Sequence, residues 1–379
     1  MNILQQFEHL GQSIWYDNIN RGLCTGGGLK RMVDQGLLGV TSNPTIFEKA
    51  IAGSSDYDAQ IRDLVRSVPS ITVEETVRAL MISDIQMAAD ILGPVGERTG
   101  GRDGYVSVEV TPSKARDTHA TIEEARLLWK RIARRNLMIK IPATPEGLPA
   151  IQQAIAEGIN INVTLIFSVE RYRQVARAYC AGLEQRLRQG GSIETVASVA
   201  SVFVSRIDTL VDELLLAKAS TASPEVASRC RELTGKAAVA NTRLVYQAFK
   251  EIFFAPAFET LRRHGAAYQR PLWGSTSTKN PSYPDLLYVE PLIGPHTVNT
   301  VPPSTYDAIL DHGKAALTIE NDPESARKTL AQIGELGVDI DRVTQRLEED
   351  GVAAFMKSFD ALTAGVGKKH HAAAASLTS

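Results

Sequence analysis

Asn136-Leu-Met-Ile-Lys140-Ile-Pro-Ala-Thr144 is a short apolar run with a single lysine in its middle, closed by Pro145-Glu-Gly147. Its length and composition read as a fully buried β-strand. An ammonium in such a strand, unpaired by a carboxylate, is costly to keep charged and tends to lose its proton. A neutral lysine is a nucleophile, and its standard use is attack on a substrate carbonyl to form a Schiff base. The same run also fits a strand-end lysine that snorkels to solvent or pairs with an acid. The other strands carry the decision.

Working outward, strands are expected at Ser13–Asp17, Gly39–Asn43, Tyr105–Val110, Leu137–Ala143, Ile161–Phe167, Val196–Ser205, Pro271–Ser275 and Asp285–Glu290, with helices between them. Helices fill Thr45 to Leu92, interrupted near Ser67-Val-Pro-Ser70 and stopped by Gly93-Pro94. Ser168 caps a helix running to about Arg188, and a long helical region covers Arg206 to His264 with a break around Thr221–Pro224. Eight strands alternating with helices predict an α/β fold closed as a (β/α)8 barrel with additional, notably C-terminal, helices. The runner-up, an open doubly wound sheet, should carry a dinucleotide fingerprint in its first strand–helix turn. Thr25-Gly-Gly-Gly28 has neither that spacing nor a Walker A spacing and reads as a flexible helix entry. Residues 1–364 are expected to form one barrel domain with helical additions, and 365–379 a poorly ordered tail.

At 379 residues the chain has room for one barrel with additions. With 44% hydrophobic and 22% charged residues and a formal net charge of −2, it has no basic surplus for nucleic acid or an anionic membrane. Cys24, Cys180 and Cys230 lie far apart without a C-x-x-C or histidine pairing, which points away from a disulfide framework or a metal site and towards a reducing cytoplasm. No apolar run approaches a membrane span, and the N-terminus has no basic and apolar leader pattern.

The strands divide by parity. Alternate residues of a strand face opposite sides, and here one row is polar: Ser107 with Glu109, Asn162 with Thr164, Thr41 with Asn43, Ser201 with Phe203 and Ser205, Met138 with Lys140. Barrel strands are normally apolar on both faces. Polar rows on five strands would leave many buried hydrogen-bonding groups at about 1–3 kcal/mol for each one unsatisfied, so together they imply a wet, functional cavity. Asp17, Asn43, Glu109, Lys140, Thr164 and Arg206 all fall at the C-terminal strand ends, where barrel active sites lie. Singly each also has an ordinary structural reading, as a turn residue, β-former or helix-start charge.

Gly39-Val-Thr-Ser-Asn-Pro-Thr-Ile-Phe47, Leu137-Met-Ile-Lys-Ile-Pro-Ala143, Ile161-Asn-Val-Thr-Leu-Ile-Phe-Ser168 and Trp273-Gly-Ser-Thr-Ser-Thr-Lys-Asn280 resemble the signature segments of transaldolase, in its longer variant. The resemblance covers the chain from about residue 10 to the C-terminal helices. It implies transfer of a dihydroxyacetone unit from sedoheptulose 7-phosphate to glyceraldehyde 3-phosphate, giving erythrose 4-phosphate and fructose 6-phosphate, with no metal or organic cofactor. It places the Schiff-base lysine on Lys140 and the other catalytic groups on Asp17, Glu109 and Thr164. Asn43 and Asn162, with Thr41 and Ser201 beside them, would hold the hydroxyls of the bound unit, and Phe203 would wall the pocket. Arg206, Ser277 and Lys279 would grip phosphate; family members more often carry arginine where Lys279 stands. The expected partners are small sugar phosphates, with a homodimer as the candidate assembly and neither nucleic acid nor membrane. An aldolase on the same barrel, releasing free dihydroxyacetone, and a non-catalytic sugar-phosphate-binding protein are the competing readings.

Overall fold

The computed structural model describes residues 1–378, and among them eight parallel strands close into a barrel in sequence order. They are β1 (Gln12–Tyr16), β2 (Gly39–Val40), β3 (Tyr105–Glu109), β4 (Leu137–Pro142), β5 (Ile161–Ile166), β6 (Ser198–Phe203), β7 (Arg270–Gly274) and β8 (Thr297–Val301). β1 pairs with both β2 and β8, which completes the ring. The barrel is the expected (β/α)8 fold. Helices lie outside the strands, and on β3, β4 and β5 the outward row is apolar and fully buried, as Val106, Val108, Ile139, Ile141, Ile161 and Val163 are.

Two strands show how single residues set the register. Gly39 faces Trp15 across β1 and β2, and a Cβ at Gly39 would stand 2.5 Å from the indole, so only glycine lets the two strands pair there. In β5 the register shifts between Val163 and Ile166, with Leu165 buried in the left-handed region at φ 60°. The expected alternation through Leu165 and Phe167 therefore ends at Thr164. Past this bulge Phe167 packs edge-on against Phe203, with ring centroids 5.5 Å apart.

Three expectations need correction. The eighth strand is Thr297–Val301, not Asp285–Glu290. The latter segment is apolar because it is buried as a cover: Leu286, Tyr288 and Val289 are enclosed, and the Tyr288 hydroxyl donates to Asp208 Oδ2 at 2.9 Å. The helix expected to stop at Gly93-Pro94 runs from Val73 to Arg98. Pro94 forfeits one backbone hydrogen bond, but Leu92 and Val95 on either side are buried, which holds the helix through it.

The third correction concerns the tail. Residues expected to be poorly ordered continue the helix Ile340–Thr378; residue 379 lies outside the described residues. Gly365 is there for close packing rather than flexibility, since a Cβ on it would stand 3.0 Å from Ala52 Cβ. Val366 is fully buried, Lys369 pairs with Asp58 at 2.7 Å, and His370 Nδ1 and Thr76 Oγ1 are 3.0 Å apart. This long helix packs on the helices Pro44–Ala52, Asp58–Ser67, Val73–Arg98 and Ser205–Ala219.

Candidate active site

Parallel pairing puts Glu109, Lys140 and Asn162 at one level, because Glu109 is the register partner of Lys140 and Lys140 of Asn162. All three belong to the polar row, so their side chains meet inside the barrel near its C-terminal end. Lys140 Nζ stands 3.6 Å from Glu109 Oε2 and donates to the Ser42 carbonyl at 3.1 Å. The lysine is thus buried, as its strand suggests, but it has a carboxyl group within ion-pair distance.

That carboxyl group is unusual. Neither Glu109 oxygen has a hydrogen-bond partner among the described residues, and 3.6 Å is too long for a bond to Lys140. Burial pushes Glu109 up to about 7, with the charge of Lys140 pulling the other way and Asp17 adding to the rise. A carboxyl poised there can give and take a proton near neutral pH. Burial likewise raises Asp17, opposed by Lys140, the Thr41 hydroxyl and Lys279. Thr41 Oγ1 donates to Asp17 Oδ1 at 2.7 Å and lies 2.6 Å from Thr300 Oγ1.

A cavity of about 620 Å³ opens on Asp17, Thr41, Thr300 and Lys140. Nine of the twelve residues singled out in the sequence line it: Asp17, Thr41, Asn43, Lys140, Ser201, Phe203, Arg206, Ser277 and Lys279. Glu109, Asn162 and Thr164 sit behind that wall. Asn162 is fixed in a chain, its Nδ2 donating to Ser107 Oγ at 3.0 Å and its Oδ1 accepting from Ser201 Oγ at 2.6 Å. Thr164, two residues on in β5, is fully buried opposite Pro142. Asn43 spends its Oδ1 on capping the helix Pro44–Ala52, accepting from Ile46 N at 3.0 Å.

Part of the cavity wall is cationic. Arg206, at the start of the helix Ser205–Ala219, holds its guanidinium 5.3 Å from the centroid of the Phe203 ring, and burial lowers its pKa, with Asp350 opposing. Lys279 donates to Ser277 Oγ at 2.7 Å. Burial lowers Lys279 too, as do the neighbouring charges of Arg206 and Lys49, while Asp17 opposes the shift. Arg206, Lys279 and Lys49 with the Ser277 hydroxyl suit a phosphate group, and the buried Lys140 amine suits a carbonyl.

Several contributors escaped the reading of the sequence. Thr300 was missed with its strand. Lys49, on the helix after Asn43, shows no signal beyond a surface charge. Phe355 reaches the cavity from the C-terminal helix: its ring packs edge-on against Phe203, with centroids 6.5 Å apart and Lys140 Nζ 6.0 Å away. Ser42 contributes only its backbone carbonyl to Lys140, which no side-chain pattern announces.

Comparison with known proteins identifies the family. Residues 14–366 match the family model described as transaldolase/fructose-6-phosphate aldolase. Among similar proteins, a transaldolase of Thermobifida fusca is 49% identical over 361 residues, covering 95% of this chain and 96% of the relative. A transaldolase of Trichodesmium erythraeum is 45% identical over 97% of each chain, and one of Thiobacillus denitrificans 46% identical over 97% of this chain and all of its own. A match that reaches all eight strands of the barrel, with relatives nearly half identical along their whole length, means that the chain belongs to the transaldolase/fructose-6-phosphate aldolase family.

Proposed function

We propose that this chain is a transaldolase that moves a dihydroxyacetone unit between sugar phosphates through a Schiff base on Lys140. The observation that carries the reading is the Lys140–Glu109 pair, 3.6 Å apart inside the barrel, with Lys140 on the wall of a cavity that Arg206, Lys279 and Lys49 also line. Attack needs the neutral amine, and Glu109 is the group positioned to receive the ammonium proton. Lys140 adds to the ketose carbonyl, Glu109 protonates the departing oxygen, and the resulting iminium draws electrons from the C3–C4 bond. Asp17, which lines the cavity, takes the C4 hydroxyl proton, and the aldose leaves as an aldehyde. Thr164 orders the water of these steps. Asn43 and Asn162, with Thr41 and Ser201, hold the three-carbon unit, while Phe203 packs against it. Arg206, Ser277 and Lys279 grip the phosphate and so use remote binding energy to align the reacting carbons.

The relatives named transaldolase favour transfer over the lyase reaction that the family description also covers. The cysteines fit a reducing cytoplasm, since Cys24, Cys180 and Cys230 are all free thiols. Among the described residues no helix is long and apolar enough to cross a membrane. The test is to incubate the protein with fructose 6-phosphate and borohydride, and to assay the same protein with erythrose 4-phosphate as acceptor. An adduct mapped to Lys140 together with sedoheptulose 7-phosphate formation is expected. Sustained release of free dihydroxyacetone without acceptor would replace transferase by lyase, and an adduct on another lysine would remove the mechanism.

A further inference from the structure

Glu109 is missing from the wall of the sugar cavity, yet it lines two other spaces. One is a cleft of about 680 Å³ on the outer side of the site, between the helix Val73–Arg98, the turn Pro112–Lys114 and the C-terminal helix. The other is a neck of about 10 Å³, roughly the room one water needs. Glu109, Met81, Pro112 and Phe359 line both, and Ser42 and Asn43 close the inner end of the neck. The two carboxyl oxygens are sealed from solvent and have no hydrogen-bond partner, so the polar group best placed to use the neck is Glu109 itself.

We propose that Glu109 exchanges water and protons with solvent through this second cleft, with Met81 and Phe359 setting the width of the neck, rather than through the sugar cavity. The inference rests on the Schiff-base reading given above. In the dehydration step the C2–O bond of the carbinolamine breaks and the nitrogen lone pair of Lys140 becomes the second bond of the C=N. The oxygen departs as water, carrying a proton from Glu109; hydrolysis reverses each event. One water must therefore leave and one return for each ketose handled, at moments when sugar fills the cavity in front of Lys140. A separate exit behind Glu109 lets that traffic proceed while the front stays closed around a reactive carbon. Met81 and Phe359 are positioning residues in this scheme; neither touches the sugar cavity.

The experiment follows the oxygen. Fructose 6-phosphate carrying oxygen-18 at C2 is incubated with saturating glyceraldehyde 3-phosphate labelled with carbon-14, which keeps the front cavity occupied. Carbon-14 entering fructose 6-phosphate counts cleavage and rejoining, and loss of oxygen-18, corrected for the enzyme-free rate, counts escape of the released water. In the unaltered protein the oxygen should be lost at least as fast as carbon is exchanged. Met81→Trp and Phe359→Trp, each plugging the neck from a different side, should cut oxygen loss relative to carbon exchange by about tenfold or more, while Met81→Ala should not. Met81→Phe, closer to methionine in volume, gives the same readout if a tryptophan is not tolerated. An oxygen-to-carbon ratio unchanged in the plugged variants would overturn the second route and leave the transaldolase reading standing. No carbon exchange in the unaltered protein would instead overturn that reading, and the proposal with it.

Discussion

Lys140 and Glu109 are register partners on β4 and β3, and their side chains end 3.6 Å apart with the carboxyl buried and without a hydrogen bond. A buried acid raised to about 7 is expensive to ionise, and its cost to the fold is visible in pH dependence. The folded-state pKa lies above the unfolded value of 4.5, so the folded protein binds more protons between the two. Stability drawn from this group is therefore full below about 4.5 and is lost as pH rises to about 7. Glu109→Gln does not titrate. Its melting temperature relative to the unaltered protein should climb across that window and level off above it, and a difference flat in pH would contradict the raised carboxyl.

The same substitution should be severe for rate. If Glu109 moves the protons of Schiff-base formation, Glu109→Gln should lower kcat about 10²–10⁴-fold with little change in KM. Single-turnover borohydride trapping should show slow adduct formation. A normal trapping rate with slow turnover would move Glu109 to a later step.

Arg206 is expected to act on binding rather than chemistry. Arg206→Ala should raise KM for phosphorylated sugars while leaving turnover of unphosphorylated dihydroxyacetone nearly unchanged, because Arg206 lines the cavity as a cation suited to phosphate, among the cations Lys279 and Lys49. Equal losses on both substrates would assign it to packing against Phe203.

How much of this could be read from the chain depends on whether a residue sits in a strand with an obvious pattern. β4 and β5 are apolar and β-branched around one polar row, so Lys140, Asn162 and Thr164 stand out. Thr297-Val-Asn-Thr-Val301 hides because three of its five residues are polar and they lie on both faces: Thr300 meets Thr41 inside the barrel, while Asn299 Oδ1, on the opposite face, accepts from Thr276 Oγ1. The apolar segment ahead of it looks more like a strand than the strand does, because a buried cover and a buried strand select similar residues. Phe355 and Met81 are beyond local reading. They reach their cavities through helix packing, and helix periodicity reports only that a residue is covered, not what covers it.

The end of the chain makes a direct prediction. Truncation after Ala364 removes Val366, the Lys369–Asp58 pair and the His370–Thr76 contact, all of which seat the helix on its neighbours. The shortened protein should melt several degrees lower, in keeping with a loss of about 1–3 kcal/mol. An unchanged melting temperature would mean that residues 365–378 add nothing to the fold.

The opposite end of the barrel offers a test that separates stability from chemistry. Asp103 is fully buried beneath the strands, where Arg270 Nη2 donates to its Oδ1 at 2.9 Å, Trp15 Nε1 to the same oxygen at 3.0 Å, and Ser13 Oγ to Oδ2 at 2.9 Å. Burial alone would raise this carboxyl, but Arg270 and these donors outweigh it and hold the group below the usual carboxylate range. Its contribution is thus present above an unfolded pKa of about 3.9 and lost as pH falls through the lower folded value. Asp103→Leu would strand the Arg270 charge and should cost about 3–5 kcal/mol, whereas Asp103→Leu with Arg270→Leu should cost clearly less than the sum of the single changes. Because active sites lie at the other face, any variant that still folds should form the Lys140 adduct at the normal rate. Additive losses in urea titrations would show that the two residues do not act as a pair, and slow adduct formation in a fully folded variant would show that the barrel floor reaches the site.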